Sequence, residues 1–460
     1  MTVRVPGPVS VPPRLLTLSA PTPDLLERAT DDLADRLDAM GGAGFARLPA
    51  VPDPPVTPGA VRRAVLADSA ERAARWLRRR DVRRVFTGGP EDGASRVFLF
   101  SGVGDQYPGL GAGLYRCLPV FREELDRCFR MLADEHGLDL RPVLFPPEVP
   151  EGSRGTPGPG PAEVFDRRPE PQGIHRTVVA QPLLFALQYT LARALTGLGA
   201  GPSALAGYSV GEYTAACVAG VFPLGHALRL VTERAGLVDE LPPGAMLAVA
   251  AGPEALDGPL GPAPGRALSL AALNGPQQTV LSGSVEAVEE AAALLTEAGV
   301  PCRRLATAHA YHSAMTRALT GPLEELLATV PLAAPAVPLL SNVTGTWLRD
   351  EEATSPAHWA RQLSRTIRFS DELAEIWRLP DPLLIEFGPG QALARLALGH
   401  PDRPADAVAS VVQTLPGRLE TRTEREVLLA AAGRLWAAGA AVDWAALAGE
   451  PADALTEELG

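Results

Sequence analysis

Residues 205–213 read LAGYSVGEY, and within them Gly207-Tyr208-Ser209-Val210-Gly211 fits the pattern Gly-x-Ser-x-Gly. In α/β enzymes this pattern places a nucleophilic serine on a sharp turn between a strand and a helix. A short apolar segment precedes it, and the small-residue segment 210–219 (VGEYTAACVA) that follows is typical of a helix. Glycines on either side of the serine let strand and helix pass closely. The stretch therefore predicts an α/β core with Ser209 at its catalytic turn.

The composition favours an intracellular globular protein. Of 460 residues, 46% are hydrophobic and 21% are charged, and the length suits two to four domains. A formal net charge of −12 argues against nonspecific nucleic-acid binding. With neither a signal-peptide pattern nor eighteen consecutive uncharged apolar residues, we expect a cytoplasmic protein without membrane contact. The cysteines lack metal-ligand spacing and are expected to be free thiols: Cys117, Cys128, Cys217 and Cys302.

Changes of residue pattern along the chain predict its domain organisation. We expect a flexible N-terminus at 1–12, a small α+β linker domain at 13–94, a hydrolase-like α/β core at 95–244 and 307–402, a ferredoxin-like subdomain inserted at 245–306, and a second linker at 403–460. The inserted segment shows a β-β-β-α-β pattern of the split βαβ kind. Residues 146–174 are rich in Pro, Gly and charge, which is typical of an exposed insertion.

A nucleophilic serine needs a base within hydrogen-bond reach, and the sequence has seven histidines to supply it. His309 and His312, in ATAHAYHSAM, fall where the chain leaves the predicted subdomain, and a hinge between subdomains is a natural position for a cleft. Either histidine taken alone would more often be structural. The remaining five lie in contexts that any surface histidine could occupy: His136, His175, His226, His358 and His400.

The ordered motifs resemble the malonyl-CoA:acyl-carrier-protein transacylase family, and are most similar to acyltransferase domains of modular polyketide synthases. The motifs are FLFSGVGDQYPGLG, AQPLLFAL, GYSVGEY, ERAGLVDELPPGAMLAV, LAALNGPQQTVLSG, AHAYHSAM and LLIEFGPGQAL. Segments near both ends resemble the linkers that flank the acyltransferase in those synthases: PRLLTLSAPTPDLLERATDDLADRL and AGRLWAAGAAVDWAAL. The resemblance thus covers about residues 13–450.

The resemblance implies a role for each matching residue. Ser209 would be the nucleophile that becomes acylated, and His312 the base, oriented by a backbone carbonyl rather than by an Asp. The backbone N–H groups of Gln106 and Val210 would form the oxyanion hole. Arg234, 25 residues after the serine, would bind the free carboxylate of a malonyl-type acyl group with its planar guanidinium. Without the resemblance, Arg234 would more often be an exposed helix arginine.

Two residues depart from the family pattern. Tyr208 stands where the family usually has His before the nucleophile, and Tyr311 turns the malonyl-type signature His-Ala-Phe-His into His-Ala-Tyr-His. The second change adds one hydroxyl and is expected to keep the pocket's shape, whereas Tyr208 is either neutral or reshapes the acyl pocket. We place Tyr208, Tyr311, His309 and Asn274 among the substrate-binding residues and expect malonyl specificity.

The resemblance also implies the partners: an acyl-CoA donor and an acyl carrier protein bearing phosphopantetheine, with no metal or redox cofactor. The start at Met1 favours a free-standing enzyme over an excised domain. Arginine clusters are candidates for contacting an acidic carrier, although solvated arginines are the commoner explanation: Arg303, Arg304, Arg361, Arg365 and Arg368. Three alternatives stay open: an editing hydrolase of the same fold, a noncatalytic docking module, and transfer of an unusual acyl group between carriers.

Overall fold

The strands of the described residues form three sheets. The computed structural model describes residues 12–52, 54, 59–89, 94–145, 173–261 and 267–448, so nearly all of the predicted N-terminal segment 1–12 and of the predicted insertion 146–174 lies outside the described residues. Within these ranges the strands are β1 (Arg14–Ala20), β2 (Val61–Ala67), β3 (Val85–Gly88), β4 (Arg96–Phe100), β5 (Ala204–Gly207), β6 (Ala245–Val249), β7 (Leu268–Gly275), β8 (Gln278–Gly283), β9 (Cys302–Arg304), β10 (Leu383–Pro389) and β11 (Val411–Leu415).

The core sheet is parallel, with the strand order β11-β10-β4-β5. Its strands read as short apolar runs because both faces are buried, as is usual for parallel sheets. The helices of this region are Ala112–Cys117, Pro119–His136, Arg141–Leu144, Thr177–Gly197, Val210–Val218, Leu224–Asp239, Thr320–Leu327, Asp350–Ala353, Pro356–Gln362, Phe369–Trp377 and Ala392–Gly399. Strand β11 comes from the predicted second linker 403–460, so the core sheet extends past the predicted boundary at residue 402.

The helix Thr177–Gly197 lies inside the core. By length and composition alone it could cross a membrane, but 78% of its most apolar window is buried in the protein. It packs against the helices Pro119–His136, Val210–Val218 and Leu224–Asp239. Its hydrophobic character is therefore accounted for by packing within the core.

The N-terminal unit is an antiparallel sheet of order β1-β2-β3 with two helices packed on it. The helices Pro23–Ala46 and Ala70–Arg79 begin after Thr22 and Ser69, whose hydroxyls accept hydrogen bonds from first-turn N–H groups. The first helix bends at Gly41, where φ is 67°. This sheet and its two helices lie within residues 13–94.

The same sheet packs against the helix Glu424–Ala437, a contact that we call the clasp. A Cβ added at Gly433 would lie 2.8 Å from the Leu15 side chain, and one added at Gly88 would lie 2.2 Å from the Ala437 carbonyl oxygen. Arg62 Nη1 donates to the carbonyl of residue 436 at 3.1 Å. Because this helix also packs on β11, the clasp joins the N-terminal sheet to the core.

The inserted sheet is antiparallel, with the order β7-β8-β6-β9. The helix Val285–Glu297 connects β8 to β9, as the pattern predicts. The helical turns Pro253–Leu256 and Asp257–Leu260 lie between β6 and β7, where the β-β-β-α-β pattern predicts none. Strand β7 also hydrogen-bonds to the core, since the N–H of residue 273 donates to the carbonyl of Ile367 at 2.8 Å.

Candidate active site

Ser209 occupies a strained turn between β5 and the helix Val210–Val218. Its backbone has φ 56° and ψ −116°, a conformation that non-glycine residues rarely adopt and that tends to occur at functional sites. The flanking residues must be glycines, because a side chain at either position would collide with neighbouring backbone atoms. A Cβ at Gly207 would lie 2.3 Å from the backbone of residues 211 and 212, and one at Gly211 would lie 2.1 Å from the Phe100 carbonyl oxygen. The chain thus has the geometry of a nucleophile elbow.

We expect Gly211→Ala to destabilise the protein by about 1–3 kcal/mol or more, because the added methyl meets a backbone atom of β4 that cannot move aside. The measurement is urea unfolding of the variant and of the wild type. Gly236→Ala is the matched control, since it lies in a helix with nothing within 4 Å of the added Cβ; it should be neutral or stabilising. Equal stability of the two variants would contradict the tight packing at the elbow.

His312 lies beside the serine with both ring nitrogens engaged. Its Nε2 is 2.8 Å from Ser209 Oγ, and its Nδ1 is 3.2 Å from the carbonyl oxygen of Gln362 and 3.0 Å from that of Arg365. Because carbonyl oxygens only accept, Nδ1 carries the proton and Nε2 is left to accept the serine hydroxyl. Burial, and secondarily the positive charge of Arg234, lowers the pKa of His312 from 6.5 to about 4. The imidazole is therefore neutral at pH 7 and able to act as a base.

This depressed pKa predicts the pH dependence of serine acylation. Protonation of His312 removes the acceptor at Nε2, so the rate should fall as the pH drops through about 4 and change little between pH 8 and pH 6. Single-turnover acylation, followed by intact-protein mass across the pH range, measures it, with far-UV circular dichroism checking the fold at each pH. A fall centred near pH 6.5 would contradict a buried, neutral base.

Arg234 is a buried cation whose charge acts on His312. Its side chain is 1% exposed, its Nη1 donates to Gln181 Oε1, and its guanidinium carbon lies 5.3 Å from the ring centre of Tyr213. Among the described residues its Nε and Nη2 have no hydrogen-bond partner. Its charge contributes to the lowered pKa of His312 and partly opposes the rise in the pKa of Tyr311 that burial causes, so the guanidinium is electrostatically coupled to the site. A buried cation with two free N–H groups is suited to binding a carboxylate.

Tyr311 and His309 line the side of the site near Arg234. The Tyr311 hydroxyl is 2.8 Å from Thr177 Oγ1, which is also 3.4 Å from His309 Nδ1. Neither residue hydrogen-bonds to Ser209 within the described part of the chain, so His312 alone of the two histidines is positioned as the base. Burial raises the pKa of Tyr311 and lowers that of His309, which keeps both uncharged near neutral pH.

A cleft of about 240 Å³ opens next to these residues, between the core and the inserted sheet. Gln106, Thr177 and Tyr311 line it from the core, and Met246 and Arg303 line it from the inserted sheet. Of the predicted arginine candidates, Arg303 is thus the one at this opening. Two others form exposed ion pairs, Arg304 with Glu289 and Arg368 with Asp371.

The loop after β4 brings Gln106 toward the elbow. A Cβ at Gly102 would lie 3.6 Å from the Ser209 Cβ, which places the start of this loop against the serine. The Gln106 side chain is used structurally: its Oε1 accepts from the N–H of residue 104 at 2.7 Å, and its Nε2 lies 3.3 Å from His175 Nδ1. In the described structure the backbone N–H groups of Gln106 and Val210 donate to no protein acceptor and can serve a ligand.

Tyr208 meets Asn274, a residue of strand β7 in the inserted sheet. The Tyr208 ring packs edge-on against Phe369, with centroids 5.4 Å apart. Burial raises the pKa of Tyr208 to about 12, an effect that the Asn274 amide opposes. This pair therefore forms a contact between the elbow and β7.

Beneath the elbow lies a set of buried polar side chains that the sequence analysis did not identify: Glu212, Asn342, Gln362 and Glu372. Asn342 Oδ1 accepts the Ser209 N–H at 2.8 Å, and Gln362 Nε2 donates to the Ser209 carbonyl at 2.8 Å. Burial raises the pKa of Glu212 to about 7 and raises the pKa of Glu372 well above its ordinary value. One feature of the sequence could have pointed to Glu212, since it is a charged residue within a helix of mostly small and apolar residues.

Comparisons with known proteins agree with this geometry. A family model for the acyl transferase domain matches residues 97–393. The chain is 35% identical, over 94% of its length, to a phenolphthiocerol/phthiocerol polyketide synthase of Mycobacterium tuberculosis, and spans 28% of that protein. Among solved structures it resembles the acyl transferase domain of ZmaA (31% identity, TM-score 0.76, 95% of this chain and 96% of that one) and that of SpnD in complex with 2-(pent-4-yn-1-yl)malonyl (34%, 0.73, 96% and 98%).

Proposed function

Because the chain belongs to the acyl transferase domain family of polyketide synthases, we propose that it moves a malonyl-type group from coenzyme A to the phosphopantetheine thiol of an acyl carrier protein, through an ester on Ser209. Acyl transfer in polyketide biosynthesis follows from the family. The malonyl-type substrate, the seryl ester and the carrier partner are the proposed part. The malonyl derivative bound in the SpnD domain is in line with a substrate of this class.

The observation that carries the malonyl assignment is Arg234. A buried guanidinium is costly to maintain without an anionic partner, and among the described residues Arg234 forms no ion pair and two of its nitrogens have no hydrogen-bond acceptor. An acyl group with a terminal carboxylate would satisfy those donors and neutralise the charge. A neutral acyl chain would leave the donors without acceptors and the positive charge without a partner. This disfavours an editing hydrolase that removes simple acyl groups.

The dyad geometry supports the following sequence of steps. Ser209 Oγ attacks the thioester carbonyl carbon while His312 Nε2 takes the hydroxyl proton. The backbone N–H groups of Gln106 and Val210 hold the oxyanion. The carbon–sulfur bond then breaks, and the coenzyme A thiolate takes the proton from His312. In the second half-reaction His312 takes a proton from the carrier thiol, whose sulfur attacks the carbonyl carbon of the seryl ester. The bond between that carbon and Ser209 Oγ then breaks, and His312 returns the proton to Oγ.

Arg234→Ala tests the substrate assignment. The activation free energy of loading from malonyl-CoA should rise by about 2–5 kcal/mol, and the loading rate should fall accordingly. The reason is that the acyl carboxylate would enter a buried site with no countercharge. Slow loading from acetyl-CoA should stay level or rise, since acetyl has no carboxylate. Arg234→Lys should recover only part of the loss, because an ammonium cannot form two parallel bonds. The measurement is acyl-enzyme formation with each thioester.

Arg229→Ala is the matched control, since Arg229 lies on the same helix but has a side chain that is 40% exposed and paired with Glu233. It should load both thioesters at the wild-type rate. Equal losses for malonyl-CoA and acetyl-CoA in Arg234→Ala would mean that Arg234 supports the fold and binds no carboxylate. Loading of wild-type enzyme only from an acylated carrier protein would instead favour transfer between carriers.

A further inference from the structure

Gln362 contacts both members of the dyad through different parts of the same residue. Its side-chain Nε2 donates to the Ser209 carbonyl oxygen at 2.8 Å, and its backbone carbonyl lies 3.2 Å from His312 Nδ1. Gln362 is the last residue of the helix Pro356–Gln362, where carbonyl groups have no partner within the helix and remain available. The nucleophile and the base are thus tied to one rigid element.

Glu212 holds the Gln362 amide in place. Its Oε2 accepts from Gln362 Nε2 at 3.0 Å, and its Oε1 accepts from the N–H of Asn342 at 3.0 Å. The amide nitrogen of Gln362 therefore faces two acceptors, a carbonyl and a carboxyl oxygen, which fixes the direction of the amide. Gln362 is 1% exposed, so no water competes freely for these bonds.

Asn342 completes the support on the other side of the serine. Its Oδ1 accepts the Ser209 N–H at 2.8 Å, and its Nδ2 donates to Glu372 Oε1 at 2.7 Å. Both backbone groups of Ser209 are consequently held by side chains, which is what a residue with φ 56° requires in order to keep its conformation.

We propose that Gln362 is a positioning residue whose side-chain amide holds the backbone of Ser209 and thereby sets the Ser209–His312 hydrogen bond. This inference rests on the proposed seryl ester chemistry. The positioning role belongs to the side-chain amide, because the backbone carbonyl is present whatever residue stands at position 362. A displacement of the reacting groups by about 1 Å is enough to cost roughly 100-fold in rate.

Gln362→Met tests it, since Met has a similar length, lacks the donor, and leaves the backbone carbonyl for His312. The rate constant of acylation at saturating malonyl-CoA should fall roughly 10- to 100-fold, with the half-saturating concentration within about two-fold of wild type. Gln362→Asn keeps the amide but shortens the side chain by one methylene, so its acylation rate constant should fall less than that of Gln362→Met. If the Met variant does not fold, the acylation rate constant and the half-saturating concentration of the Asn variant are compared with those of the wild type instead.

Gln413→Met is the matched control. Gln413 is also buried, and its Nε2 also donates to a backbone carbonyl (Leu415, 2.7 Å) and to a carboxylate (Glu420, 2.9 Å), but it lies on β11 outside the active site. It should lower the melting temperature to a degree comparable with Gln362→Met while acylation stays at the wild-type rate. Wild-type acylation in Gln362→Met, or a change confined to the half-saturating concentration, would overturn the proposal.

A fluorophosphonate probe separates this proposal from the proposed function. It reacts with an activated serine whatever the natural acyl group is. Slower labelling of Ser209 in Gln362→Met than in Gln413→Met supports positioning even if malonyl-CoA proves not to be a substrate. Equal labelling of the two variants overturns positioning while leaving the malonyl assignment untouched.

Discussion

Ser209→Ala is expected to abolish covalent acyl loading while leaving the fold intact. The hydroxyl is the only group of Ser209 that faces His312 Nε2, whereas its backbone N–H and carbonyl are held by Asn342 and Gln362. Alanine keeps both backbone contacts, so the elbow should persist without its nucleophile. Intact-protein mass spectrometry after incubation with malonyl-CoA gives the loaded fraction, and thermal unfolding checks the fold.

Ser203→Ala serves as the comparison, because Ser203 lies just before β5 and its exposed hydroxyl bonds only to the Arg96 carbonyl among the residues described. It should load fully. If Ser209→Ala gained acyl mass at the wild-type rate, the nucleophile would lie elsewhere and the elbow would be only a structural turn.

His312→Ala should slow acylation by roughly 10²- to 10⁴-fold, the range for loss of a general base. The backbone of His312 has φ 53°, so His312→Asn, which tolerates this conformation better, is the companion variant that separates loss of the base from backbone strain. Rapid-quench measurement of a single turnover isolates the acylation step from carrier-dependent steps.

His309→Ala provides the contrast within the same motif. His309 approaches Thr177 and not the serine, so its removal should affect fit in the pocket and cost far less than removal of His312. A larger loss in His309→Ala than in His312→Ala would show that the wrong histidine has been assigned as the base.

Local features of the fold were predictable because their signals lie in short stretches of sequence. The turn at Ser209 follows from two glycines around a serine between apolar segments, and β1, β8 and the long helices follow from apolar periodicity. The named likeness of the core to hydrolases and of the inserted sheet to ferredoxins, the exact domain boundaries and the cytoplasmic location stay predictions.

Features created by distant parts of the chain were not predictable from local pattern. Strand β11 is five residues long, and its place in the core sheet depends on pairing with β10. Asn342 and Gln362 look like ordinary polar residues in the sequence. They meet Ser209 only because residues more than a hundred positions away fold back beneath the elbow.

The clasp has a consequence for exchanging such domains between biosynthetic assembly lines. A graft that took only residues 97–393, the segment that matches the family, would leave behind β11 and the helix on which β2 rests. The transplanted sheet would then expose the apolar flank of β10, an aggregation-prone edge. Recombination junctions therefore belong before β1 and after the helix Trp444–Ala448, so that the N-terminal sheet, β11 and the helix Glu424–Ala437 are transferred together with the core that carries Ser209.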